Sequence, residues 1–575
     1  MKNKHIILSA AACLIVGAAA AQNQIQREVD VTRAYEPSVQ NALKLNLMPD
    51  MADTTQMRPD FNYEITPRPL SYGFAVNPLT PARIAAVGEP VRFPFYAKVG
   101  VGFPMQSVAD IRYSKSINDR TAFGIYANHY GRWAKIENDM AVKEKATATD
   151  NRAGAFLDYR LDDDLTIHTS LDYDLWSVNR YGYFREGLSA GSFNTSDETM
   201  KQFYQDGRFS FAIGNSFKNS DKFNFRVNAA FGMFGDKFKY NQMGWDLGAW
   251  VGFRAGMDGT LTIGGEYSGS KGQENLDQYS GYLGRAGLAY HYNYDGFRAT
   301  IGAYVGLTET KWDQSREKHS ETTFLPEVTL EKDLMDGAIT PFLDLRGSII
   351  DNSYQALAKR NPYLYSGQFA PNTISYNGRA GIKGTLGNTF KYTVYGGYTL
   401  QNDATFWANA YSGYPSSANK ASSSFYGNEG NVFTVLSDDL NYFEAGVEMQ
   451  ANIQNAVTLT GGFNYYSYSP DTFDEAWGMP EINAHFGATY NHRNKLYLNA
   501  GIEYMGERHM FSNIGSGTVN TIDGQLNLKF GADYFINKQF GVFVQLNNLL
   551  NQDIYHFNRY PELGINAMAG IKISF

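Results

Sequence analysis

Residues 539–575 read QFGVFVQLNNLLNQDIYHFNRYPELGINAMAGIKISF. Ile565, Ala567, Ala569, Ile571, Ile573 and Phe575 share one parity, and Asn566, Met568, Gly570, Lys572 and Ser574 share the other. Successive side chains of a strand point to opposite faces, so this segment has one apolar face and one polar or small face. Phe540, Val542, Val544 and Leu546 oppose Gly541, Gln545 and Asn547 in the same way. A half-buried soluble sheet can also alternate. What favours a membrane barrel is recurrence of the pattern along nearly the whole chain behind a secretion signal.

The signal is residues 1–21. Lys2 and Lys4 form the charged start, Ile6 to Val16 the apolar core, and Ala19, Ala20 and Ala21 a small-residue cleavage site. The single cysteine, Cys13, lies inside it, so the mature chain has no disulfide or thiolate chemistry. Loss of Lys2 and Lys4 takes the formal charge from -8 to -10, which argues against a nucleic-acid partner. Aromatic residues make up 15% of the chain, a richness that fits interfacial girdles. Mean hydropathy is -0.39, and a barrel tolerates this because only half of each strand meets lipid.

Residues 22–92 form a separate segment. Pro37, Pro49, Pro59, Pro67, Pro69, Pro78, Pro81 and Pro90 break any ladder there. Val29, Tyr35, Leu43, Leu45, Phe61 and Ile65 make it too apolar for a solvated tail. We expect an extended lead-in that packs in the barrel lumen or on a periplasmic partner.

From Phe93 the punctuation is regular. Short polar turns at 116–119, 162–164, 218–221, 255–259, 293–296, 333–337, 387–388, 454–455, 491–494 and 537–538 carry Gly, Asn and Asp, which supply positive-φ positions. Longer connections lie at 136–148, 186–198, 311–319, 352–371, 402–438, 469–479, 508–520 and 551–563. Alternating short and long loops mark periplasmic turns and outer loops. The segments between them alternate too. Leu165, Ile167, Leu171 and Tyr173 oppose His168, Ser170, Asp172 and Asp174, and Leu526, Leu528 and Phe530 oppose Asn527, Lys529 and Asp533. Charge on the second parity requires a wet or protein-filled interior. The expected fold is therefore all-β: a transmembrane antiparallel up-and-down barrel over residues 93–575. We count about 22 strands, with about 20 or 24 left open by the stretch 403–440.

A lumen of that width is normally plugged. The end of the chain resembles that of TonB-dependent receptors, through Asn548, Leu549, Leu550, Tyr555, Tyr560, Pro561, Gly570 and Phe575. The stretch VDVTRAYEPSVQNALKLNLMPDMADT resembles the start of plug-poor, receptor-like barrels of Bacteroidota. The resemblance implies the outer membrane of a Gram-negative cell, contact with its lipid, and substrate uptake or channel and receptor activity. It also implies that the Phe575 strand is read by the outer-membrane assembly machinery. The lead-in departs from the family: it is too short and proline-rich for a folded plug, and shows no convincing TonB-box. The second reading is a structural or assembly barrel docking a periplasmic or surface lipoprotein.

No catalytic, cofactor or metal site is expected. The nine histidines form no HExxH pair, and no Gly-rich GK[ST] loop occurs. His168 and Ser170 share a face, but Asp172 and Asp174 continue it as an ordinary polar stripe, so we expect no enzyme. Aromatic residues of the outer loops suit sugar or peptide stacking, and equally loop-on-loop packing that caps the barrel. As ligand contacts they are Trp407, Tyr411, Tyr414, Phe425 and Tyr426, with Tyr363 and Tyr365.

Overall fold

The computed structural model describes residues 93–575 apart from 140, 163, 184–199, 216–222, 313–316, 388, 411–429, 455 and 513–517. The signal and the lead-in therefore lie outside the described residues. One 24-stranded sheet, antiparallel but for one two-residue parallel pairing, dominates. Two of its members, Arg508–Ser512 and Thr518–Ile522, form a hairpin in an outer loop. The other 22 close into a ring, the expected number.

Closure is made by the ends of the chain. Phe95–Phe103 pairs with Asn566–Ser574, with Val99 opposite Ile571. Phe95 and Phe575 exchange both backbone hydrogen bonds at 3.0 Å. A closed ring leaves no unpaired edge in hydrocarbon.

The two parities meet different surroundings. Val101, Leu171, Val305, Phe324, Phe486 and Ile571 stand exposed on the outer wall. Inward positions carry ion pairs: Lys572–Asp533 at 2.5 Å, Lys529–Glu503 and Arg379–Glu444 at 2.6 Å, Arg152–Asp174 and Lys383–Glu331 at 2.7 Å. Unpaired charge would be costly on the lipid face, and here these charges pair on the lumen side, either between neighbouring strands or across one intervening strand. Phe543 is an apolar member of the inward set, packed on Val108 and Met568.

Turns at the end that holds Phe95 and Phe575 are tight. Asp295 and Gly296 have φ of 45° and 67°, and Arg493 and Asn494 of 55° and 56°, as hairpin geometry demands. At the opposite end the expected alternation is not strict. Phe95–Phe103 turns into Gln106–Asn118 with two residues between, and Tyr240–Arg254 follows Asn224–Asp236 after three. Positive φ at Lys239 makes the second of these possible without glycine. The stretch 402–438 is also not one loop. Phe390–Ala410 and Val432–Ile453 take up both its ends, pairing from Ala404 opposite Asp438 to Ala410 opposite Val432. Likewise Phe297–Trp312 and Glu317–Lys332 consume most of 311–319.

Candidate functional site: the capped outer mouth

The connection between Thr340–Ile350 and Thr373–Leu386 builds the centre of the mouth. Ser353 caps a seven-residue helix, α1 (Tyr354–Arg360), its Oγ accepting from Ala356 N at 3.3 Å. A helix this short does not hold itself. Its buried face, Tyr354, Leu357 and Ala358, is held by Trp176, Tyr204, Phe234 and Tyr279. Trp176, Tyr204 and Phe234 belong to strands well round the ring from Thr340–Ile350, so the loop crosses the lumen to reach them. Polar bonds fix the crossing. Tyr204 Oη donates to Pro362 O at 3.0 Å, Tyr354 Oη to Asp236 Oδ2 at 2.7 Å, and Lys359 is ion-paired with Asp206.

A second connection, between Phe540–Asn547 and Asn566–Ser574, lies over the first. Tyr560 stacks on Tyr363 at 3.6 Å between ring centroids. Its hydroxyl donates to Asn431 O at 2.5 Å, and Tyr181 Oη donates to Pro561 O at 2.8 Å. Arg132 Nη1 meets Glu562 Oε2 at 2.6 Å. Burial pushes the Tyr560 and Tyr181 hydroxyls well above their ordinary range, so both remain donors at neutral pH.

The third part is the long hairpin Phe390–Ala410 and Val432–Ile453. Its register shifts between Gln401 and Ala404, with Asp403 at φ 55°. A bulge of this kind bends a strand. Beyond it, Ala408 and Asn409 pair in parallel with Phe511 and Ser512 of the outer hairpin. Asn558 joins these layers, donating to Asn409 Oδ1 at 2.7 Å and accepting from Asn520 Nδ2 at 2.8 Å.

Beneath the cap lies a cavity of about 310 Å³, lined by Tyr130, Arg132, Trp176, Lys529, Asp533 and His556 among others. His556 is buried there, and desolvation lowers its pKa to about 4, with Glu562 opposing and Arg508, Lys529 and Arg132 reinforcing. Arg508 is buried at the base of the outer hairpin. It donates through Nη2 to Tyr555 O and, at 3.3 Å, to Gln525 Oε1, and burial pulls its guanidinium down to about 9.

The sequence candidates fall into three groups. Tyr363 is buried in the cap core, 3% exposed. Trp407 is half-buried and touches both cap clusters, while Tyr365 is half-buried and its N–H donates to Phe433 O at 2.8 Å. Tyr411, Tyr414, Phe425 and Tyr426 lie outside the described residues. His168 does not meet Ser170: its Nδ1 is 2.6 Å from Asp158 Oδ1, and Ser170 Oγ donates to Asp172 at 3.0 Å. Among the described residues no three acidic, histidine or cysteine side chains gather as a metal set. Sequence reasoning missed Asn409, Asn431 and Asn558, which bind the cap layers together. Asparagine is common in loops, and only the crossing of those loops gives these three a shared role.

A closed antiparallel ring of 22 strands with an apolar outer wall, charged lumen and loop-capped mouth defines a large transmembrane barrel of the outer-membrane type. No family model and no curated relative matches the sequence. The fold has clear counterparts among TonB-dependent outer-membrane receptors. P. aeruginosa FpvA, solved with heterologous pyoverdines, aligns with TM-score 0.62 and 13% identity, over 84% of this chain and 72% of its own. The FrpB iron transporter from Neisseria meningitidis gives 0.63 and 11%, over 84% and 83%. The copper transporter OprC gives 0.60 and 12%, over 85% and 82%.

Proposed function

We propose that this chain is an outer-membrane uptake receptor whose mouth is closed by its own loops and opens when ligand displaces them. The observation that carries the reading is the crossing of the lumen by the α1 connection, seated on strands well round the ring. A static wall needs no such crossing, whereas a gated pore does. The receptor fold supports the same reading. The cargo of the similar proteins, pyoverdines, iron and copper, sets the compounds to assay first. Trp407 and Tyr365 at the edge of the cap, with Tyr411, Tyr414, Phe425 and Tyr426, are the ring faces on which a ligand would stack. Residues 22–92 serve as a minimal plug from the periplasmic side. The test is conductance of the purified protein in planar bilayers. Deletion of residues 354–366 opens the pore from the outer side, and deletion of 22–92 opens it from the inner side. A channel as closed after both deletions as before either defeats the gated-pore reading.

A further inference from the structure

The lipid-facing wall near the outer rim carries a polar row. Gln106–Asn118, Thr121–Arg132 and Ala148–Arg160 are neighbouring strands. Ser107 stands opposite Val101, which is 70% exposed on the outer wall. His129 stands opposite Ala109, on the parity of Ser107, and Asn151 stands directly opposite His129. Directly opposed residues share a face, so all three point outward.

Their side chains are joined. Ser107 Oγ is 2.7 Å from His129 Nε2, and His129 Nδ1 is 2.6 Å from Asn151 Oδ1. The direction of each bond follows from the third residue. Asn151 Nδ2 donates to Leu175 O at 3.2 Å, so the amide turns its oxygen, an acceptor only, toward His129. His129 therefore carries its proton on Nδ1 and offers the Nε2 lone pair to the Ser107 hydroxyl. A hydroxyl held by an imidazole that is itself oriented through its far nitrogen is the arrangement that activates a serine nucleophile.

The geometry points to a serine hydrolase site on the membrane face of the barrel, taking the carboxylic esters of membrane lipids. The surroundings select that substrate. Val101, Phe103, Met105 and Trp133 are exposed apolar side chains beside Ser107. The indole of Trp133 lies over Gly131, the residue opposite Ser107, where any Cβ would strike it. Ser107 and His129 lie close to the outer ends of their strands, and an exposed tryptophan marks the boundary of headgroup and hydrocarbon. Lipid acyl esters lie at that boundary.

The reaction closes on atoms the site and water supply. Ser107 Oγ attacks the ester carbonyl carbon and its proton passes to His129 Nε2. The carbonyl–alkoxy bond breaks, and the leaving alkoxide takes that proton and departs as the lyso-lipid alcohol. Water then attacks the acyl-serine through the same imidazole, and the fatty acid leaves with Ser107 restored. Asn151 is a positioning residue for the imidazole. The main chain of Ser107 sits within ladders to Val101 and Gly131, so it is poorly placed to act as an oxyanion hole. Such donors contribute about 100- to 1,000-fold, so turnover is slow and covalent labelling is the sensitive readout.

The experiment uses the full mature chain in detergent. A dye-tagged fluorophosphonate is the labelling probe, and release of fatty acid is followed from diacylphosphatidylcholine micelles and, separately, from lipopolysaccharide. The wild type labels and releases fatty acid from one or both lipids, and the two arms identify the source. Ser107→Ala abolishes labelling and His129→Ala slows it by about 100-fold or more. Asn151→Ala slows labelling and shifts its pH profile, whereas Asn151→Asp restores both; a merely structural hydrogen-bond row would move neither. Heat-modifiable gel mobility verifies that each variant still forms a barrel. Labelling that survives Ser107→Ala overturns the proposal, as does a correctly folded wild type that neither labels nor releases fatty acid.

Discussion

His556 titrates against the closure of the mouth. In the closed cap its pKa is held at about 4, while an exposed imidazole titrates near 6.5. Its contribution to closure is therefore full above about pH 6.5 and is lost as pH falls toward 4. Conductance should rise across that window, and His556→Gln should flatten this part of the rise. An unchanged acid profile in the variant would assign the effect elsewhere. The Arg132–Glu562 pair tests closure from another side. Glu562→Gln leaves a buried guanidinium without its carboxylate and should weaken the 548–565 connection by about 3 kcal/mol, at the lower end for a buried pair because Glu562 is partly exposed. The double change Arg132→Met with Glu562→Leu should recover most of that loss. Hydrogen exchange of the 548–565 amides measures both.

The α1 connection stands on packing rather than on helix propensity. Leu357 is fully buried, so Leu357→Ala should cost the loop about 2 to 4 kcal/mol. The readout is trypsin cleavage after Lys359 or Arg360 in an otherwise intact barrel; no gain in cleavage would mean that the loop is held by its polar bonds alone. The membrane-spanning strands were legible in the sequence because one side of each meets hydrocarbon and the other meets charge, which imprints a period of two. That imprint fades above the membrane. Phe406 and Ala408 are buried on one parity of the long hairpin and Phe433 and Val435 pack on the cap from the other, so both faces meet protein and alternation disappears. The seven residues of α1 are too few to establish a helical period, although Ser353 signals its start. Ser107, His129 and Asn151 escaped notice for a different reason. They lie 22 residues apart on consecutive strands, and only the register of the ladders brings them to one row.

At the scale of the whole molecule, closure depends on the last residues made. Phe575 stacks on Phe95 with centroids 6.2 Å apart and meets Phe540 edge-on at 5.7 Å. Removal of residues 566–575 should leave two unpaired edges and abolish the heat-modifiable barrel, while Phe575→Ala should lower its yield in cells with less effect on a barrel already formed. Equal yields would remove the terminal ring from the assembly signal. The wall is also lopsided. The strands at the junction of the two ends are 9, 9 and 8 residues long, whereas the long hairpin has strands of 21 and 22. Nine residues tilted by about 45° rise roughly 20 Å, at the lower end of what spans a membrane and a few Å short of an apolar band about 25 Å tall. A bilayer meets a short wall by thinning, at a modest cost per Å, so its thinnest point falls where the ends of the chain meet. Ser107 is the second residue of the very next strand, so the serine faces lipid beside the shortest part of the wall.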